Sequence, residues 1–153
     1  MSVFELVEMV PRPAAVVRAT MAVSELPSFF GRALGAVAAA AAGQGLELLG
    51  EPFAFYPGAP TDVVEVAAGF PVSSAVEPAD DVVPLELPGG RAATTVHVGP
   101  YESMHKTYAE MHVWMAKQGL TPADHMWEVY LSDPSTEPDP STWRTQIFWP
   151  VNG

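Results

Sequence analysis

The segment MWEVYLSDP, residues 126–134, alternates as a β-strand does and carries a carboxylate in its middle, Glu128, between Trp127 and Val129. Side chains repeat every two residues along a strand, so Tyr130 shares the face of Glu128. An acid at such a place either faces water or sits among rings, where burial raises its pKa unless a cation or hydrogen bonds compensate. A carboxyl tuned in that way suits a general acid or base, or the counter-ion of a cationic ligand. Aromatic faces attract cations as well, at ~0.5–2 kcal/mol each depending on desolvation.

Other chemistries find little support. There is no cysteine, which removes thiolate metal sites, disulfides and a Cys nucleophile and fits a reducing, cytoplasmic setting. His105 and His112 are seven residues apart, about 10.5 Å along a helix and too far for one ion. No HExxH, GxSxG, GxGxxG or GxxxxGK[ST] pattern occurs, so neither a metal nor a nucleotide cofactor is expected. His97, in HVGPY, reads as a residue that shapes a strand-to-helix turn. Asp133, Glu137 and Asp139 lie in a Pro-rich turn and are expected to face water.

The 153 residues carry a formal charge of −11, with only seven Lys and Arg. Binding nucleic acid requires clustered cations to neutralise phosphates, and no cluster exists. The acidic field biases the protein towards cationic small molecules. The opening MSVFELVEMVPRP lacks the basic start and apolar run of a signal peptide, and ALGAVAAAAAGQG falls short of the ~20 apolar residues that span a bilayer. The expectation is one folded, soluble domain with no membrane partner.

That domain contains itself twice. Residues 13–72 and 91–151 each open on a β-rich run after paired alanines, continue into a helix ending in QGL, and return through an aromatic strand. Each then closes on a strand ending in FPV or WPV. The divisions are repeat 1 at about 1–72, a linker and strand at 73–90, and repeat 2 at about 91–151. Ser24 is a plausible N-cap for the first helix, and Gly43, Gly45 and Gly119 suit helix ends. Tyr101, Met104, Tyr108, Met111 and Met115 form one apolar stripe over a helix at roughly 101–118, with Trp114 at its margin. The fold class is α+β: two pseudo-symmetric strand–helix–strand–strand repeats side by side, with a ligand groove between them.

The succession HVGPY (97–101), EVYLSDP (128–134), STEPDPSTW (135–143) and IFWPV (147–151), together with the duplication, resembles the GyrI-like small-molecule-binding domain. That domain also serves as the effector-binding module of multidrug-sensing transcription regulators. The resemblance covers nearly the whole chain and is strongest in the second half. It implies an apolar groove lined by aromatics, in which a strand glutamate, here Glu128, engages a bulky ligand that is often an aromatic cation. It also implies an alternative, because some stand-alone members resemble hydrolases that open cyclopropane rings of DNA-alkylating natural products. The family's name suggests DNA gyrase as a partner, but no residue here singles that out. Many members read TEI where this chain has TQI, so Gln146 stands in place of a second acid.

Aligning the halves at QGL sets Trp127 on Phe53, Glu128 on Ala54 and Tyr130 on Tyr56. The expected site is therefore Glu128 as anchor, with Tyr130, Tyr56, Phe148 and Gln146 around it and Trp114 and Met111 reaching in from the helix. In an enzyme, Glu128 and Tyr130 would carry the chemistry, the tyrosine stabilising a developing oxyanion.

Overall fold

The structure is a computed structural model and describes residues 3–58, 63–132 and 137–152. Its strands are β1 (Glu5–Met9), β2 (Arg12–Ala22), β3 (Phe53–Tyr56), β4 (Val63–Pro71), β5 (Val82–Leu87), β6 (Gly90–Val98), β7 (Thr121–Pro122), β8 (Met126–Tyr130) and β9 (Arg144–Asn152). Helix α1 spans Leu26–Gly43 and α2 spans Met104–Lys117. Both expected repeats are present, as β2-α1-β3-β4 and β6-α2-β8-β9, in one antiparallel sheet of order β1-β6-β9-β8-β3-β4-β2-β5, with β7 added beside β9.

The two leading strands are exchanged. β1 precedes the first repeat yet pairs with β6 of the second, and β5 precedes the second yet pairs with β2 of the first. Met9 pairs with Gly90 and Arg12 with Leu87, so Val10–Pro11 and Pro88–Gly89 pass each other with no change of register. The two ends of the sheet order thus run into one another, and the sheet rolls up. Two glycines mark the tight places. A Cβ on Gly89 would meet Pro11 at 2.5 Å, and one on Gly69 would collide with the Ala15 carbonyl oxygen.

Rolling gives the sheet two buried faces. Inside lie Ala14, Val16, Phe53, Ala67, Leu87 and Trp127, packed against Phe55, Val129 and Phe148 with no helix residue among them. Outside, both helices lie against Ala15, Val17, Ala54, Tyr56, Val66, Ala68, Met126 and Ile147. α1 contributes Phe29, Ala33, Val37 and Ala41, and α2 contributes Met104, Thr107, Met111 and Met115. These are i, i+4 and i, i+3 steps, one stripe per helix. By length and composition α1 is apolar enough to cross a membrane. Its stripe packs on the sheet, as the helix of a folded domain does.

The helix ends obey the repeat. Gly45 and Gly119 adopt φ of 70° and 72°, and the next residues, Leu46 and Leu120, donate to Ala41 O and Met115 O at 2.9 Å each. This is the left-handed glycine stop, which satisfies otherwise orphaned carbonyls. The helix starts differ from expectation. Ser24 does not cap α1: it lies within a 3-10 turn, Val23–Glu25, and Glu25 precedes the helix, its carboxylate accepting from Ala22 N at 3.1 Å. Before α2, Tyr101–Ser103 is likewise a 3-10 turn, so the α-helix proper begins at Met104.

Candidate functional site

Across the middle of the sheet Ala54 pairs with Glu128. Those two residues also match when the repeats are superposed in sequence, so the pseudo-twofold axis passes between them. Phe53 pairs with Val129 and Tyr56 with Met126, the register that such an axis requires. The axis leaves a small apolar residue on one side and a carboxyl on the other, both on the face that carries the helices.

Glu128 is 8% exposed. Its Oε1 accepts a hydrogen bond from the Tyr130 hydroxyl at 3.0 Å. Burial pushes its pKa from the usual carboxylate range up to about 7, and the Tyr130 hydrogen bond opposes that rise. No basic side chain among the described residues contributes to the shift. Burial, and then the charge of Glu128, also raise the phenols of Tyr56 and Tyr130, so both stay protonated and available as donors. The result is a buried carboxyl raised to about 7, held by the Tyr130 phenol rather than by a cation.

Rings cover it. The Tyr130 ring is 5.7 Å from Phe30 of α1 and 5.8 Å from Tyr101 in the turn before α2, and Tyr101 is 5.0 Å from Trp143. Trp143 is held by its indole N–H, which donates to Glu137 O at 2.9 Å. The N-terminal ends of both helices and the turn before β9 thus converge on Tyr130.

Of the expected residues, Glu128, Tyr130 and Tyr56 are together. Phe148 and Gln146 are not. Phe148 pairs with Trp127 and stacks on it at 5.5 Å, inside the roll, and Gln146 pairs with Val129 on that same face. Gln146 donates to Thr94 Oγ1 at 3.1 Å. Directly paired residues share a face, so neither reaches Glu128, which pairs with Ile147. Met111 is wholly buried under α2, and Trp114 stacks on Phe4 at 5.7 Å, beside β1 rather than in the groove. Sequence reasoning left Phe30, Tyr101 and Trp143 out of the site. Phe30 carried a signal: it adjoins Phe29, and two consecutive helix residues point in different directions.

His97 shapes its turn as expected. Its Nδ1 is 2.6 Å from Thr107 Oγ1, and its Nε2 is 3.1 Å from Pro100 O and 3.0 Å from Ser103 Oγ. Glu137 and Asp139 are exposed, while Asp133 falls outside the described residues. No cluster of three metal-ligating side chains occurs among the described residues. A cavity of about 610 Å³ runs along β6 and α2, lined by His97, Ser103, Lys106 and Glu110 among others, and does not include Glu128.

The family model of the GyrI-like small-molecule-binding domain matches residues 3–152. The chain belongs to this family. Among curated proteins none matches it. Among solved structures, the EcmrR C-terminal domain is similar with a TM-score of 0.83 at 19% identity, over 99% of this chain and 98% of that one. In the EcmrR–DNA complex the same likeness, at 18% identity and TM-score 0.83, spans 99% of this chain and 57% of the EcmrR chain. A hydrolase encoded by lin2189 from Listeria innocua is similar with a TM-score of 0.69 at 17% identity, over 97% of this chain and 91% of that one. SAV2435 bound to tetraphenylphosphonium scores 0.67 at 13% identity, over 99% and 94%. At these identities the likeness is one of fold.

Proposed function

We propose that this GyrI-like domain captures hydrophobic, aromatic small molecules, cations among them, in the groove over Glu128. It would act in the cytoplasm in drug sequestration or sensing, and so in drug resistance. The observation that carries the reading is a buried carboxyl on the pseudo-twofold axis, hydrogen-bonded to a tyrosine that other aromatic rings surround, and with no cationic partner among the described residues. Such a group is costly to ionise when the groove is empty, and a cation sandwiched between rings would relieve that cost. Because Glu128 is buried, entry would require the rings around Tyr130, from Phe30, Tyr101 or Trp143, to move aside. Tryptophan fluorescence titrated with tetraphenylphosphonium tests the reading, since Trp143 lies against Tyr101, which packs on Tyr130. Saturable quenching that Glu128→Gln weakens supports it. Equal binding by wild type and Glu128→Gln refutes Glu128 as anchor.

A second reading has its own support. A carboxyl poised at about 7 beside two protonated phenols has the parts of a general acid–base site, and a neighbour of this fold is a hydrolase. In a hydrolase that opens activated cyclopropanes, Glu128 would take a proton from water while Tyr130 donates to the developing oxyanion. Turnover that scales with protein concentration and vanishes in Glu128→Gln separates this from stoichiometric capture.

A further inference from the structure

The repeat supplies a reference for every residue of the site. Aligning the FP of β4 with the WP of β9 places Val66 where Thr145 stands in the second half. Both are fully buried on the helix-bearing face. Val66 has the shape of a threonine and no hydroxyl, and its half of the sheet is built without one. The Thr145 hydroxyl is therefore not demanded by the fold.

Nor is it satisfied by it. Thr145 Oγ1 is buried with no hydrogen-bond partner among the described residues. Its cross-strand neighbours are Tyr130 on β8 and His97 on β6. Each is engaged elsewhere: the Tyr130 hydroxyl with Glu128, and both His97 nitrogens with Thr107, Ser103 and Pro100 O. Buried polar atoms are nearly always paired, and an orphan calls for an explanation. Here it lies on the face of Glu128, one strand over and diagonal to it, on the order of 7 Å away. It also adjoins the tyrosine whose ring Phe30 and Tyr101 cover. At two positions of this face, Glu128 for Ala54 and Thr145 for Val66, the second half puts a polar side chain where the first has an apolar one.

We propose that Thr145 is a specificity-determining residue: the second polar contact of the groove, selecting aromatic ligands that carry an amino or hydroxyl group beside the part anchored at Glu128. The assignment rests on the binding function proposed above. A hydroxyl both donates and accepts, so it pairs with either group, and ligand entry supplies the partner the empty site lacks.

Two probes separate the effect from general binding. Tetraphenylphosphonium is an aromatic cation with no hydrogen-bonding group, and ethidium is one with aromatic amines. Thr145→Val is expected to weaken ethidium roughly three- to tenfold, the worth of one hydrogen bond. Tetraphenylphosphonium should stay within about twofold, and Thr145→Ser should bind ethidium like wild type. The melting temperature of ligand-free Thr145→Val should equal or exceed that of wild type, since an unpaired buried hydroxyl is removed. The proposal is overturned if both probes weaken alike, if neither changes, or if ligand-free Thr145→Val melts lower, which would mark a structural hydroxyl. Should wild type bind neither probe, the groove reading fails and takes Thr145 with it. Binding that depends on Glu128 but not on Thr145 sinks this proposal alone.

Discussion

Glu128 and Ala54 face each other across the β3–β8 pair, at the one point of the sheet where a residue is opposite its own counterpart. An exact twofold would put the same side chain on both sides. Two carboxyls so placed would repel in a buried setting and two alanines would offer no anchor. The asymmetric pair gives a single polar group at the centre of an apolar surface.

Stability should fall as pH rises through the acid range. The carboxyl of Glu128 is raised from 4.5 to about 7. Between those values the native state therefore holds a proton that the unfolded state has released. Its stabilising effect is fully present below pH 4.5 and is lost by pH 7. The change amounts to roughly 3 kcal/mol. Urea denaturation at a series of pH values should show this slope, and Glu128→Gln should remove it and be the more stable protein above neutrality. A Glu128→Gln curve parallel to that of wild type would show that the carboxyl is not perturbed.

Cation affinity should have the opposite sense. The bound cation favours the carboxylate, so affinity rises with pH up to about 7 and levels off above it. Tyr130→Phe removes the hydrogen bond that holds this pKa down and should move the plateau to higher pH. Calorimetry in buffers of different ionisation enthalpy should detect the released proton below pH 7. Heats independent of buffer would contradict the linkage.

Phe30→Ala and Tyr101→Ala should each weaken binding of an aromatic cation by roughly ten- to a hundredfold, through lost area and lost cation–π attraction. Trp114→Phe and Phe148→Leu should leave affinity unchanged and act on stability alone, because one packs on Phe4 and the other inside the roll. A loss of binding in Trp114→Phe with unchanged melting would overturn this division of the aromatics.

Gly69→Ala should abolish folding or cost several kcal/mol, since the new methyl group meets backbone that cannot yield. Gly35→Ala, within α1 and with nothing within 4 Å of the added Cβ, should instead stabilise by about 0.5–1 kcal/mol. Thermal melts of the two variants check both.

The repeat, the two helices and the β3–β8 anchor were legible in the sequence because they rest on local signals: QGL stops, apolar stripes and matched strand ends. Glu128, Tyr130 and Tyr56 were reached by strand alternation and the match between halves. Phe148 and Gln146 were placed on the wrong face for a definite reason. Alternation fixes which residues of one strand go together, but only register relates one strand to the next. The turn from Leu131 to Trp143 conceals whether β9 arrives in phase with β8. Trp114 was misread because its partner, Phe4, belongs to the exchanged segment ahead of β1, far away in sequence. Trp143 lay in a turn that gave no periodicity from which to orient it.

The exchange of leading strands implies a history as well as a shape. In a chain holding only one leading strand and one repeat, the pairing seen here would need a second copy of that chain. Two such chains, each lending its first strand to the other, would build this same rolled sheet with perfect symmetry and two identical residues at its centre. Joining them end to end through 73–81 frees the two copies to diverge. The single chain can then be read as a swapped homodimer made permanent, and its one central acid as a feature that only became available when the copies ceased to be the same gene product.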